Sequence, residues 1–176
     1  MPTADITAER FDRLANEACR YVFDFMISEK TEFVREARLI GGAARDKGLF
    51  STLPEFSEGY FTIAVGYVGD AQGQVLLFLP QSFAEKFACK LLDVPDVEWL
   101  GEDTRETLVD VMGELGNSLV GLVKGGLTKH FPKLMLTTPN VVKNARIRVD
   151  ESVLSFRKQY QFKVMDLPVV LDFCHE

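Results

Sequence analysis

The chain has 176 residues, of which 47% are hydrophobic and 26% are charged, and its formal net charge is −6. A chain of this length can bury roughly 70% of its unfolded surface around one core. We therefore predict a single domain over residues 1–176. Nucleic-acid binding depends mainly on clustered Lys and Arg, so the acidic balance favours a protein or small-molecule partner instead.

The sequence also predicts a compartment. No run reaches the roughly 18 apolar residues of a membrane span, and the first residues do not resemble a signal peptide. The three cysteines, an odd number without CxxC spacing, are Cys19, Cys89 and Cys174. Such usage is typical of small buried residues in a reducing compartment. We expect a cytoplasmic protein with no membrane segment.

The first part of the chain predicts a helix followed by a hairpin. Helical spacing predicts a long amphipathic helix over Ala8–Glu29, whereas Thr31–Ile40 fits a helix or a strand. Gly41–Glu58, with three glycines and a proline, is predicted to be a loop or an insertion. Alternation in Tyr60–Val68 and Gln74–Leu79 predicts a β-hairpin. The apolar residues at helical spacing in the first helix are Phe11, Leu14, Ala18, Val22, Phe25 and Met26.

Two further helices are predicted next. Pro80 can occupy the first turn of a short amphipathic helix that runs to Leu92. Val94–Gly101 is predicted to be a linker in which Trp99 is a packing anchor. A longer helix is predicted over Glu102–Gly125, where two consecutive glycines end it.

The last third of the chain predicts strands, because its apolar period changes to two. The strands are expected at Lys133–Val142, Ala145–Val149, Val153–Val164 and Val169–Cys174, with a turn at Asp166-Leu167-Pro168. This order of elements is typical of an α+β fold. We predict an antiparallel-rich sheet packed against two long helices plus a short helix.

Four residues of the second long helix lie on one narrow face. At about 100° per residue, Asp110, Glu114, Asn117 and Gly121 fall within about 60° of one another. We call these four residues the polar stripe. The apolar residues on the opposite side are Leu108, Met112, Leu115, Leu119, Leu122 and Val123. One face is therefore expected to be buried, and the polar stripe is expected to contact a partner.

Each stripe residue also has a purely structural interpretation. Carboxylates such as Asp110 and Glu114 on a polar helix face are more often solvated than functional. Asn117 is harder to explain in this way, because asparagine is a mediocre helix former at a position where a better one would fit. Gly116 is nearer the buried side and is predicted to permit close packing. Gly121 lies on the polar stripe, where a missing side chain leaves room for a partner.

The pattern Asp110-x-x-x-Glu114-x-x-Asn117, followed by Gly121 and later by Pro139, resembles the signature of the CheC/CheX/FliY family of chemotaxis phosphatases. The preceding short helix and the strand around Pro139 resemble the family as well. Pro139 either marks a strand edge or bulge, or uses its fixed φ to hold its segment beside the helix. The segment before the hairpin has no clear counterpart in the family.

The resemblance implies a CheC/CheX-like fold and hydrolysis of the acyl phosphate on a CheY-like response regulator. It assigns Glu114 to pairing with the regulator's active-site lysine and Asn117 to positioning the attacking water. Asp110, Gly121 and Pro139 are implied to bind the partner. The metal of such a reaction, Mg²⁺, is expected in the regulator, so this chain is expected to bind no metal and no cofactor.

Some members of the family carry two copies of the motif, and the first helix is the natural place for a second copy. Aligning Glu17 with the motif glutamate puts Arg20 at the asparagine position. Aligning Asp12 with the motif aspartate puts Asn16 and Cys19 at the other two. Neither alignment restores an acid and an amide together. We predict one active site per chain, the CheX-like arrangement, and the resemblance then implies a homodimer.

Two other functions remain open from the sequence. The chain can be a non-catalytic CheX-like binding module that docks a receiver or a flagellar-switch protein without hydrolysis. A small-molecule sensor is a weaker alternative, because the sequence offers no polar cluster for a ligand. His130 and His175 have no ligand-like spacing with the cysteines, so a metal site is not expected.

Overall fold

The computed structural model describes residues 8–39, 48–147 and 149–176, and within them seven strands form one antiparallel sheet. The strands are Glu32–Arg38 (β1), Tyr60–Gly69 (β2), Gly73–Pro80 (β3), Leu134–Leu136 (β4), Asn140–Lys143 (β5), Phe156–Val164 (β6) and Leu167–His175 (β7). Their order is β1-β6-β7-β3-β2-β4, and β5 also pairs with β2. The predicted antiparallel sheet is confirmed.

Helices cover one face of this sheet. They are Ala8–Ile27 (α1), Gln81–Leu91 (α2) and Thr104–Leu127 (α3). The main core lies between them and the inward side chains of the sheet, such as Phe61, Ile63 and Val65 of β2. The predicted α+β fold, with two long helices and a short one, is confirmed. Across the described ranges, no helix is both long and apolar enough to span a bilayer.

α3 packs on α1 through a glycine. A Cβ atom at Gly126 would lie 2.0 Å from Leu14 Cδ2, so the bare backbone permits the close approach of the two helices. The prediction that the helix ends at Gly125 is wrong, because α3 continues to the buried Leu127. Two glycines cost a helix about 2 kcal/mol. Burial of one leucine stabilises by about 1.5–3 kcal/mol and offsets that cost.

Residues 48–58 pack on the other face of the sheet. Two short 3₁₀ turns between residues 49 and 56 place Phe50 on Phe78, with ring centroids 4.2 Å apart. The Leu49 N–H donates to Gln159 Oε1 over 2.6 Å. The loop prediction for Gly41–Glu58 is therefore only partly right, since its second half is a packed cover. Residues 41–47 lie outside the described residues.

The segment that the sequence left open between helix and strand is a strand. Thr31–Ile40 contains β1, and Ile40 lies outside the described residues.

The predicted strand that follows α3 is divided in two. Lys133–Val142 is not one strand but two, β4 and β5, which both pair with β2. Thr137 and Pro139 lie between them. Thr137 Oγ1 accepts a hydrogen bond from the Gly66 N–H over 2.8 Å, and Pro139 has no N–H to donate to a ladder.

Two predictions near the end of the chain are also corrected. Ala145–Val149 forms no strand among its described residues, which exclude Arg148. The turn before β7 lies at Met165-Asp166, with φ of 52° and 61°, as the mirror-image turn of a two-residue hairpin requires. Leu167 and Pro168 of the predicted turn are the first residues of β7.

Two aromatic residues predicted to pack in the core are exposed. Trp99 is 69% exposed in the 3₁₀ turn Val97–Leu100, where Leu100 packs on the core instead. Phe25 is 75% exposed, although it lies on the side of α1 that carries Leu14. At about 100° per residue, Phe25 lies about 60° around α1 from the buried Val22 and about 160° from the buried Phe23, so it is at the margin of the buried side.

Candidate functional site

The polar stripe is an exposed face of α3. Asp110, Glu114, Asn117 and Gly121 are all exposed, while the apolar residues on the other side of the helix face the core. At about 1.5 Å rise per residue, the polar stripe is about 16 Å long. Glu114 and Asn117 are one turn apart, so their Cβ atoms lie about 5–6 Å from each other. The structure therefore brings the predicted acid and amide side by side.

The three polar side chains of the stripe make no polar contact within the described chain. Among the described residues, no hydrogen bond or ion pair engages the side chain of Asp110, Glu114 or Asn117, and all three are in contact with solvent. A convex helix face has no concave pocket of its own. Its two carboxylates suit it to a positively charged group on another molecule.

The glycines of α3 serve different purposes. A Cβ atom at Gly116 would lie 2.6 Å from Ile63 Cγ2, so the bare backbone lets α3 approach β2 closely. The predicted packing role of Gly116 is confirmed. A Cβ atom at Gly121 would meet no atom within 4 Å. Packing within the described chain therefore gives no reason for glycine at position 121.

Pro139 lies beside α3 but off the polar stripe. It is partly buried in the link between β4 and β5, and its Cβ lies 3.7 Å from where a Gly116 Cβ would stand. At about 100° per residue, Gly116 is about 100° around the helix from Asn117. Pro139 therefore flanks the helix that carries the site.

The residues of α1 that could form a second motif are hydrogen-bonded or buried within the domain. Asp12 Oδ1 accepts hydrogen bonds from Lys158 Nζ and from the Tyr160 hydroxyl, both over 2.7 Å. Asn16 donates to the Asp12 carbonyl, and Cys19 is buried. Burial opposes the charge of Lys158, but its hydrogen bonds to Asp12 and Glu36 raise its pKa. α1 thus presents no second acid and amide pair to solvent.

The cysteines and the acidic residues offer little other chemistry. Burial raises the pKa of the Cys19 and Cys174 thiols, which therefore stay neutral and unreactive. Cys89 is only partly buried, so the prediction of buried cysteines holds for the other two. In the part of the chain that the structure describes, no group of three or more His, Cys, Asp or Glu residues is arranged to hold a metal ion.

The fold and the polar stripe define a class of protein: a one-sheet α+β domain that presents an acid and an amide from a rigid helix. The chain belongs to the CheX family, because the family model described as "Chemotaxis phosphatase CheX" matches residues 61–163, more than half of the chain. The family resemblance is confirmed. Comparison with curated protein sequences finds no match.

Solved structures share the whole fold. The CheC-like superfamily protein from Shewanella sp. PV-4 is 16% identical, with a TM-score of 0.72 over 97% of this chain and 99% of that chain. CheX from Vibrio vulnificus is 17% identical, with a TM-score of 0.69 over 96% of this chain and 100% of that chain. CheX in the CheX–CheY–BeF₃–Mg²⁺ complex from Borrelia burgdorferi is 18% identical, with a TM-score of 0.69 over 94% of this chain and 97% of that chain. At such identities the likeness establishes the fold.

Proposed function

We propose that this chain hydrolyses the aspartyl phosphate of a CheY-like response regulator. The observation that carries the proposal is the exposed pair Glu114 and Asn117, side by side on α3 and unused within the described chain. Membership of the CheX family supports it. So does the Borrelia CheX, which was solved in a complex with CheY, beryllofluoride and Mg²⁺. Since the regulator of such a circuit is cytoplasmic, we place the reaction in the cytoplasm.

Asn117 is proposed to position the attacking water. Its carboxamide oxygen accepts a hydrogen bond from the water and aims the water oxygen at phosphorus. The new P–O bond forms as the bond to the aspartyl oxygen breaks, the electron pair goes to the aspartate carboxylate, and the water proton leaves with phosphate or solvent. Mg²⁺ bound by the regulator would neutralise the phosphoryl oxygens. A carboxylate at position 117 would instead repel them.

Glu114 is proposed to pair with the regulator's active-site lysine. The pair would fix the register of the docked helix and thereby place Asn117 one turn further along. Asp110 and Gly121 are proposed to contact the regulator at the two ends of the polar stripe. Pro139 is proposed to contribute from the flank, where its fixed φ holds the link between β4 and β5 against α3.

A homodimer is proposed as the working form of the protein. β4 and β5 each pair with β2 on one side, and within the described residues their other edges have no strand partner. Pairing of such edges across a two-fold axis would satisfy their free backbone groups. Sedimentation equilibrium should then give a molecular mass twice the 19.8 kDa of one chain. A 19.8 kDa species at micromolar concentration would contradict the dimer.

The test of the function is a decay assay. A CheY-type receiver is labelled on its aspartate with ³²P, and the loss of label is followed with buffer, with wild type and with Asn117→Ala. Faster decay with wild type alone supports the phosphatase. Equal decay in all three samples, with the receiver still bound to the protein, would refute the phosphatase and support the non-catalytic binding module.

Replacing Glu114 by alanine is expected to weaken docking and turnover together. Loss of one charge-assisted contact should raise the KM for the phosphorylated receiver by roughly tenfold. The matched control is Glu55→Ala, which removes an exposed carboxylate from the cover on the other face of the sheet. Unchanged affinity and rate in Glu114→Ala, measured by titration and by the decay assay, would remove Glu114 from the site.

A further inference from the structure

Two stacked aromatic side chains are exposed on α1. Tyr21 is 58% exposed and Phe25 is 75% exposed. Their ring centroids lie 5.8 Å apart with an interplanar angle of 10°. A contact between residues four apart stabilises a helix only slightly, so it does not account for two exposed rings. Exposed aromatic surface of this kind is typical of protein binding sites.

Tyr21 also lines a groove between α1 and α3. The groove has a volume of about 770 Å³, and Leu14, Ala18 and Leu122 contribute its apolar lining. Gly125 lines it without a side chain, and a Cβ atom there would meet nothing within 4 Å. The charged residues around it have both signs, and they are Glu17, Arg20, Asp24, Glu29, Lys30 and Lys129. Such a lining would suit an apolar protein segment with charged neighbours.

Tyr21 and Phe25 continue the side of α1 that carries the buried residues Leu14 and Ala18. At about 100° per residue, Leu14, Ala18, Tyr21 and Phe25 lie within about 60° of one another. Leu14 and Ala18 are buried, whereas the two aromatic residues on the same side are not. The apolar side of the helix therefore extends past the region that the described chain packs against.

The groove adjoins the polar stripe. Gly125 follows Gly121 by one turn and lies about 40° from it around α3. Along the helix axis, Gly125 is about 12 Å from Asn117. A standard interface buries about 800 Å² on each partner, which corresponds to a disc of about 16 Å radius. A folded domain centred on Asn117 would therefore reach the mouth of the groove.

We propose that a CheY-like receiver docked on the polar stripe also packs an apolar segment in this groove, against Tyr21, and on Phe25, which stacks on Tyr21 beside the groove. This inference rests on the proposed function and extends its docking surface to α1. The aromatic pair then determines affinity and the choice among receivers, while Asn117 determines the rate of hydrolysis. A second copy of the chain is the poorer occupant, because it would cover Gly121 and obstruct the polar stripe.

The first test removes the aromatic pair. The double variant Tyr21→Ser/Phe25→Ser is titrated with a CheY-type receiver loaded with beryllofluoride and Mg²⁺, and its KM and kcat are measured in the decay assay. We expect about tenfold weaker binding, a matching rise in KM and an unchanged kcat. The matched control is Val153→Ser, which removes a 52% exposed apolar side chain from the 3₁₀ turn Glu151–Val153 and should bind as wild type does.

The second test fills the groove without removing a contact. Gly125→Gln places a side chain where the structure has open space, and it replaces a poor helix former, so the variant should fold. It should weaken receiver binding as the double variant does. Wild-type affinity in both folded variants would overturn the proposal. Loss of self-association with unchanged receiver affinity would overturn it as well, since the groove would then join two copies.

The groove and the phosphatase proposals fail differently. If wild type binds the beryllofluoride-loaded receiver but does not accelerate decay, the phosphatase assignment is refuted and the affinities still decide the groove. If wild type accelerates decay and the two variants keep its KM, only the groove is refuted. If wild type does not bind the receiver, both are refuted.

Discussion

Replacing Asn117 by alanine is expected to lower the kcat for the phosphorylated receiver by roughly a hundredfold, which corresponds to about 2.7 kcal/mol of transition-state stabilisation. The side chain is exposed and makes no hydrogen bond within the described chain, so its loss removes no native hydrogen bond there. Alanine is also the better helix former. The variant should therefore fold at least as stably as wild type and fail only in positioning the water.

Binding measurements separate this effect from weaker docking. The affinity of Asn117→Ala for a beryllofluoride-loaded receiver should stay within about threefold of wild type, because the water is positioned only for the reaction. Asn117→Asp, which keeps the shape but adds a charge beside the phosphoryl group, should not restore the rate. A kcat for Asn117→Ala equal to that of wild type would refute the proposed role of Asn117.

Replacing Gly121 by leucine is expected to stabilise the helix and weaken docking. A Cβ atom at Gly121 meets nothing within 4 Å, so the larger residue fits the described chain. It should raise the free energy of unfolding by up to about 1 kcal/mol, because glycine is a poor helix former. The same side chain would stand between the polar stripe and a docked receiver. We expect receiver affinity to fall by at least about tenfold.

Two other variants calibrate this result. Gly121→Ala adds only a methyl group and should give a smaller loss of affinity with the same gain in stability. Gly116→Leu should instead lower the free energy of unfolding by about 1–3 kcal/mol, because its side chain collides with Ile63. Denaturant titration and receiver titration measure the two quantities. Wild-type affinity in Gly121→Leu would place the receiver elsewhere on the chain.

The polar stripe could be predicted from local geometry, whereas the roles of its residues and of Pro139 were implied by the resemblance to the family. A helix fixes the angle between its residues, so the spacing of Asp110, Glu114, Asn117 and Gly121 was enough to place them on one face. The apolar residues of α3 showed which side is buried. The part played by each residue in catalysis or docking stays a prediction. Exposed, neighbouring side chains are compatible with a phosphatase and also with a non-catalytic binding module.

The sequence missed the aromatic pair and its groove. Phe25 follows the helical spacing of the buried residues of α1, and this spacing predicted a place in the core. Whether a residue on an apolar side is buried depends on where a neighbouring helix ends and crosses. That crossing is set by contacts such as Gly126 against Leu14, which are 112 positions apart in the chain.

By itself the sequence determined the elements whose pattern is repeated over several turns or strand residues: the two long helices, the hairpin and the last two strands. It also determined the family and the polar stripe. Only the tertiary structure decided that α3 continues through its glycines, that the segment before β5 breaks at Pro139, and that residues 48–58 cover the sheet. The physical reason is that each of these outcomes depends on contacts between distant segments, and such contacts offset local preferences of about 1–2 kcal/mol.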